Sequence, residues 1–184
     1  MKILIENKPL LVVPTRGKPN DAAYDLTAVM EPEICGVKFE IPSENLFAWR
    51  KVDYIQYRTG LFISPQDESK LDKVVKFHTQ CNARSSVSTK NLMLANGTAL
   101  IDHDYRGEIL LRFKYYFQPQ DFIIYPEGGI PRIFGILDKE AIYKKGNKIA
   151  QIRAVRNIDV EFEIVDSLDD TTRGIGGFGS TTKV

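Results

Sequence analysis

Cysteine is scarce: Cys35 and Cys81 are the only two in 184 residues, far apart and in no spacing suited to zinc or to a disulfide framework. A reduced, cytoplasmic setting is therefore the expectation. Neither sign of charge dominates, since 25 basic side chains stand against 24 acidic ones for a net charge of +1. That balance leaves no global field to draw in a nucleic acid polymer or an anionic membrane, so neither is expected as a partner. No apolar run approaches the length of about 18 residues that a membrane span needs, and the stretch from Met1 to Ile5 is too short for the apolar core of a signal peptide. Helical periodicity is almost missing, with only a turn or two suggested around Ser86 to Lys90 and Asp138 to Tyr143. No internal repeat or low-complexity segment is present. The glycine-rich run near the end of the chain lacks the following Lys-Ser/Thr of a P-loop, which excludes that way of holding a nucleotide.

What is there reads as a β protein. At 43% hydrophobic and 27% charged the composition is that of one globular domain with a substantial core. Apolar residues recur mostly with period two, or in short runs rich in β-branched and aromatic types, between Gly, Pro, Asn and Asp. Strands are predicted over Lys2 to Ile5, Leu10 to Val13, Val37 to Ile41, Tyr54 to Tyr57, Gly60 to Ser64, Val74 to Cys81, Leu92 to Leu94, Ala99 to Ile101, Ile109 to Phe117, Ile149 to Val155 and Val160 to Val165. So many short strands suggest a sandwich or jelly roll. The stretch from Phe117 to Gly135 sets three prolines and two adjacent glycines among aromatic and β-branched residues, and reads as an inserted hairpin. The expected organisation is a core domain over residues 1–170, with an insertion around 117–143, and a glycine-rich arm over 171–184.

Five clusters carry candidate chemistry. Asp102-His103-Asp104-Tyr105-Arg106-Gly107-Glu108 loads five ionisable side chains and a tyrosine onto a turn between two apolar segments. A carboxylate fixed there can take a proton from water while the flanking main chain reads a small planar ligand. Asn96-Gly97 marks a tight turn just upstream. Ala83-Arg84-Ser85-Ser86 opens a short helical turn, where free N–H groups, an arginine and two hydroxyls suit an anion; a serine acting only as helix N-cap is the plainer reading. Asp21 to Leu26 is read as a small, tightly packed turn flanked by acidic residues, and Lys144 to Gln151 as a basic turn entering a strand. In the terminal run, Arg173 offers a cationic fork, Phe178 a face for a base, and Gly179, Ser180 and Thr181 backbone and hydroxyl donors for phosphate, the alternative being a plain tail.

Together and in this order these segments resemble the five motifs of the homotrimeric dUTPase family. Asp21 to Ala28 is similar to the first motif, Ala83 to Ser88 to the second, Ala95 to Ile109 to the third, Lys145 to Ile152 to the fourth and Arg173 to Thr182 to the fifth; Thr59-Gly60-Leu61 is a further likeness. The resemblance implies a distorted jelly roll, a β-sandwich or barrel, assembled as a homotrimer with a flexible C-terminal arm. It also implies hydrolysis of dUTP to dUMP and pyrophosphate, which limits uracil in DNA and supplies dUMP for dTMP synthesis.

Roles follow from the resemblance residue by residue. Asp102 is expected as general base for in-line attack of water on the α-phosphorus. Asn96 and the main chain of Gly97, Leu100 and Ile101 are expected on the uracil edge, Tyr105 under the deoxyribose and Leu110 on the pocket wall. Arg84, Ser85, Ser86 and Gln151 are expected on the α- and β-phosphate oxygens, Arg173, Gly179, Ser180 and Thr181 on the γ-phosphate, and Phe178 over the base. Mg²⁺ is expected on the phosphates and water, with no direct protein ligand and Asp25 at most one water removed. Ala23, Ser86 and Thr182 stand where the family has glycine. Two alternatives stay open. A dCTP deaminase shares the fold, but Arg112 and Tyr105 stand where that enzyme has its catalytic glutamate and a tryptophan. A dUTPase-like regulator would grip a protein partner through the 117–143 insertion.

Overall fold

The structure is a computed structural model that describes residues 2–41, 46–70 and 73–176. The strands are β1 (Lys2–Ile5), β2 (Tyr24–Thr27), β3 (Glu33–Ile41), β4 (Leu46–Arg58), β5 (Ile63–Gln66), β6 (Glu68–Lys70), β7 (Lys73–Val75), β8 (Phe77–Ala83), β9 (Leu92–Leu94), β10 (Thr98–Ile101), β11 (Leu110–Tyr115), β12 (Phe122–Glu127), β13 (Ile130–Gly135) and β14 (Lys148–Arg156). Helical geometry among the described residues is confined to two 3-10 turns, Ser85–Thr89 and Pro119–Asp121. No helix among them is long and apolar enough to cross a membrane.

Two antiparallel sheets carry the fold. One runs in the order β10-β8-β14-β2, the other in the order β12-β13-β4-β11-β9 with β3 also paired to β4. Period-two alternation assigns their faces, as in β11, where Leu111, Phe113 and Tyr115 turn inward and Leu110, Arg112 and Lys114 outward. Leu26, Cys81, Ala99, Ile149 and Ile152 of the first sheet and Ile55, Tyr57, Leu94, Leu111 and Phe113 of the second join one buried cluster. The all-β expectation is met by this jelly-roll-like sandwich, in which the described sheets do not close into a barrel. Burying each such side chain contributes roughly 1.5–3 kcal/mol, so the inward set dominates stability. At its centre the Tyr57 ring meets Phe113 edge-on at 5.5 Å, while the Tyr57 hydroxyl donates to Tyr143 O and accepts from Tyr143 N at 3.2 Å each. Burial pushes that phenol well above its ordinary range.

The stretch from Phe117 to Gly135 does contain a hairpin, β12 and β13 joined through Gly128-Gly129. Its inner face packs Phe134 onto Phe39 with ring centroids 4.4 Å apart, over a small second core of Ile41, Ala48 and Phe134.

Several expectations need correction. Leu10 to Val13 forms no strand, and Leu10, Val12 and Val13 are exposed. Val160 to Val165 is likewise unpaired, with Phe162 92% and Ile164 100% exposed. Alternation makes a strand only where the segment is paired, and among the described residues neither of these two segments pairs with a sheet edge. The helical hint at Asp138 to Tyr143 resolves into a turn, Ala141 N donating to Asp138 O at 3.2 Å, whose apolar end, Ile142 and Tyr143, plugs the core. Asp21 to Leu26 is only partly a turn, because β2 begins at Tyr24.

Candidate active site

Strand pairing builds the first part of the site. Asp25 on β2 pairs with Gln151 on β14, and Gln151 pairs in turn with Asn82 on β8. Arg84 follows that strand's end, and Lys148 opens β14. Asp25, 5% exposed, receives all three neighbours: Arg84 Nε at 3.0 Å and Gln151 Nε2 at 3.2 Å on Oδ1, and Lys148 Nζ at 2.8 Å on Oδ2. Burial pushes its carboxyl up, but the hydrogen bonds from Lys148 and Gln151 and the charges of Arg84 and Lys148 outweigh it and hold the group below the ordinary 3.8. One buried carboxylate thus ties together the first, second and fourth motif-like segments.

The 3-10 turn after Arg84 is not capped by a serine, so the N-cap reading fails. Ser86 Oγ instead meets the Tyr143 hydroxyl at 3.1 Å, while Ser88 Oγ and Thr89 Oγ1 donate back to Ser85 O and Ser86 O. Ser86 lies inside the turn, whose ordinary right-handed φ a glycine is not needed to reach. The guanidinium Nη nitrogens of Arg84 carry no bond to another described residue, which leaves them available to an anion.

The second part lies around the turn that carries the chain from β9 in one sheet to β10 in the other, so the hairpin expected there is a crossing between sheets. Gly97 takes φ +65° and its N–H closes the turn on Leu94 O at 3.0 Å. A recess of about 220 Å³ is lined by Ala95, Asn96, Ala99, Leu110, Leu111 and Arg112. A second, of about 260 Å³, is lined by Leu100, Ile101, Asp102, Tyr105, Glu108, Ile109, Leu110 and Arg112. Leu110 and Arg112 are their common wall. The Tyr105 ring folds over Gly107, where a Cβ would strike the phenol, and its hydroxyl donates to Glu108 O at 3.0 Å. Glu108 then anchors the loop, taking Arg58 Nε at 2.9 Å and Gly60 N at 2.8 Å, and Thr59 Oγ1 donates to Ile109 O at 2.6 Å. The Thr59-Gly60 step is therefore the fixed base of the charged loop.

Asp102 and the Asp25 cluster do not meet in one chain. Asn82 pairs with both Gln151 and Thr98, so the Asp25 cluster is level with the start of β10, whereas Asp102 follows its end at Ile101. Four residues of strand separate the levels, about 13 Å along the sheet. Arg173 is apart from both, its Nε donating to Gly176 O at 3.0 Å in an exposed turn. Phe178, Gly179, Ser180 and Thr181 lie outside the described residues. Sequence reasoning passed over three contributors: Lys148, seen only as part of a basic turn; Glu108, seen as one charge among five; and His103, taken for a loop-surface residue although its side chain is only 24% exposed. Their partners are distant in sequence, so no local signal marked them.

Among the described residues no group of three or more His, Cys, Asp or Glu is placed to hold a metal ion, and both oxygens of Asp25 are engaged.

No protein-family model matches the chain. A deoxyuridine 5'-triphosphate nucleotidohydrolase of Desulfitobacterium hafniense is 39% identical over 100 residues, 54% of this chain and 53% of that protein, so the match spans about half of the relative's length. Another, of Arabidopsis thaliana, is 29% identical over 171 residues, covering 92% of this chain and 76% of the relative. Among solved structures, a mutant Staphylococcus bacteriophage 80alpha dUTPase with dUpNHpp shares the fold with a TM-score of 0.59 at 17% identity, over 97% of both chains. A mutant dUTPase from phage phi11 of S. aureus, described with coordination of a structural Mg(II) ion, gives 0.56 at 18% identity over 91% of this chain and 98% of that one.

Proposed function

We propose that this chain is a dUTPase, hydrolysing dUTP to dUMP and pyrophosphate, a reading supported by its likeness to the deoxyuridine 5'-triphosphate nucleotidohydrolases. The observation that carries the reading is the pair of recesses sharing Leu110 and Arg112, one beside the Asn96-Gly97 turn and the other holding Asp102 and Tyr105. Uracil enters the first, where Asn96 and the main chain from Gly97 to Ile101 offer paired donors and acceptors; the deoxyribose rests on Tyr105. Asp102 accepts a proton from water as the water oxygen bonds to the α-phosphorus, the bridging P–O bond to the β-phosphate breaks, and pyrophosphate departs. Arg84, Ser85, Ser86 and Gln151 neutralise the α- and β-phosphate oxygens, and Arg173 with Gly179, Ser180 and Thr181 the γ-phosphate, while Phe178 stacks on the base. Mg²⁺ carried on the triphosphate would supply further charge neutralisation, with Asp25, which holds Arg84 and Lys148, at most one water removed from it.

A homotrimer completes this site. Two features support it: Asp102 and the Asp25 cluster stand about 13 Å apart along one sheet, and the exposed alternation Ile158, Val160, Phe162, Ile164 suits a strand added to a neighbouring copy. The protein is read as cytoplasmic. A nucleotide panel with detection of both pyrophosphate and ammonia tests the activity. Release of pyrophosphate from dUTP and not from dCTP or dTTP is expected; deamination of dCTP would install the rival enzyme, and inertness towards all three would leave the regulatory module.

A further inference from the structure

Asp102 makes no side-chain hydrogen bond to another described residue, so its place depends on what holds the backbone on either side of it. On the upstream side β10 ends with Ile101 paired to Thr79 of β8. Continued by two residues, that register would set His103 opposite Phe77, but the backbone has already turned away. The side chain of His103 takes over the missing rung: its Nδ1 donates to Phe77 O at 2.9 Å. Its Nε2 lies 3.2 Å from Asp67 Oδ1, a contact that becomes an ion pair when the ring is protonated, and Arg106 Nη1 donates to His103 O at 2.8 Å.

We propose that His103 is a positioning residue for Asp102, its Nδ1–H bond to Phe77 O extending the β8–β10 ladder past the point where the backbone leaves it. The proposal rests on Asp102 as general base. The loop from 102 to 108 is then braced at both ends, by His103 on β8 and by Glu108 on Arg58 and Gly60. Two anchors within the span of a short loop confine the carboxylate to a small arc, and in-line attack on phosphorus is sensitive to displacements of that size.

Three substitutions separate the bond from the bulk. Asparagine places its Nδ2 where the histidine Nδ1 sits and so retains the donor to Phe77 O; glutamine reaches instead to the Nε2 position and Asp67; alanine keeps neither. His103→Ala and His103→Gln are expected to lower kcat for dUTP by about ten- to a hundredfold with KM and melting temperature unchanged, and His103→Asn to restore most of kcat. Wild-type kcat in His103→Ala, or equal losses in the asparagine and glutamine variants, would overturn the proposal. Should the alanine protein fail to fold, the asparagine and glutamine pair decides alone. A wild-type protein inert towards dUTP would sink the functional reading instead. The brace is then tested by amide hydrogen exchange over residues 102–108, expected faster in the alanine and glutamine variants than in wild type, with equal rates refuting it.

Discussion

Replacing Asp25 by asparagine tests whether one buried carboxylate organises the phosphate side of the site. The side chain is isosteric, but it leaves Arg84 and Lys148 without a counter-charge and turns amide N–H groups towards some of the three donors that the carboxylate accepted. Removing one partner of a fully buried ion pair costs about 3–5 kcal/mol, an exposed pair about 0–1. Arg84 and Lys148 keep 31% and 44% of their side-chain surface, so water recovers part of the loss. A value of about 2 kcal/mol follows, which for a chain of this length lowers the melting temperature by about 4–8 °C. The pH dependence gives an independent check. Because the folded state holds this carboxyl below its ordinary 3.8, its contribution is fully present above that value and is lost as pH falls through the lower, folded one. The difference in unfolding free energy between wild type and Asp25→Asn, from urea melts at fixed protein concentration, should be constant near neutrality and shrink below about pH 4. A variant that melts with the wild type, or a gap indifferent to acid, would refute the role given to Asp25.

Asp102→Asn should bind dUTP as the wild type does and lose about 10²- to 10⁴-fold in turnover, checked by calorimetric titration beside steady-state rates. A chain ending at Thr172 should keep its melting temperature, since the buried cluster lies upstream, and lose orders of magnitude in kcat/KM; full activity would make the glycine-rich run a mere tail. Phe162→Glu should weaken the trimer in sedimentation velocity if the exposed alternation pairs with a neighbour, and leave the mass distribution unchanged if it does not. Cys81, fully buried with its thiol pushed up to about 12 by desolvation, should resist thiol reagents until the protein unfolds, whereas Cys35 reacts in the native state.

Much of the fold was legible because a strand's faces are a local property. The alternation of Leu111, Phe113 and Tyr115 with Leu110, Arg112 and Lys114 is written in six consecutive residues, and Asn96-Gly97 and Gly128-Gly129 announce their turns by residue type alone. The order of the motif-like segments, and with it the resemblance to a family, was likewise available from the chain read once from end to end. Pairing was not. The same alternation in Val160 to Val165 predicts a strand that pairs with no edge among the described residues, and nothing near Asp25 in sequence names Arg84, Lys148 or Gln151 as its partners. Those contacts exist because β2, β14 and β8 lie side by side in one register, a choice made by burial across both sheets. The same register sets Asp102 at the far end of β10 from that cluster and brings His103 to Phe77 O. Sequence by itself determined which residues are candidates for the chemistry, through their types and order; tertiary structure decided which of them meet, because strand neighbours and register depend on contacts between segments tens of residues apart.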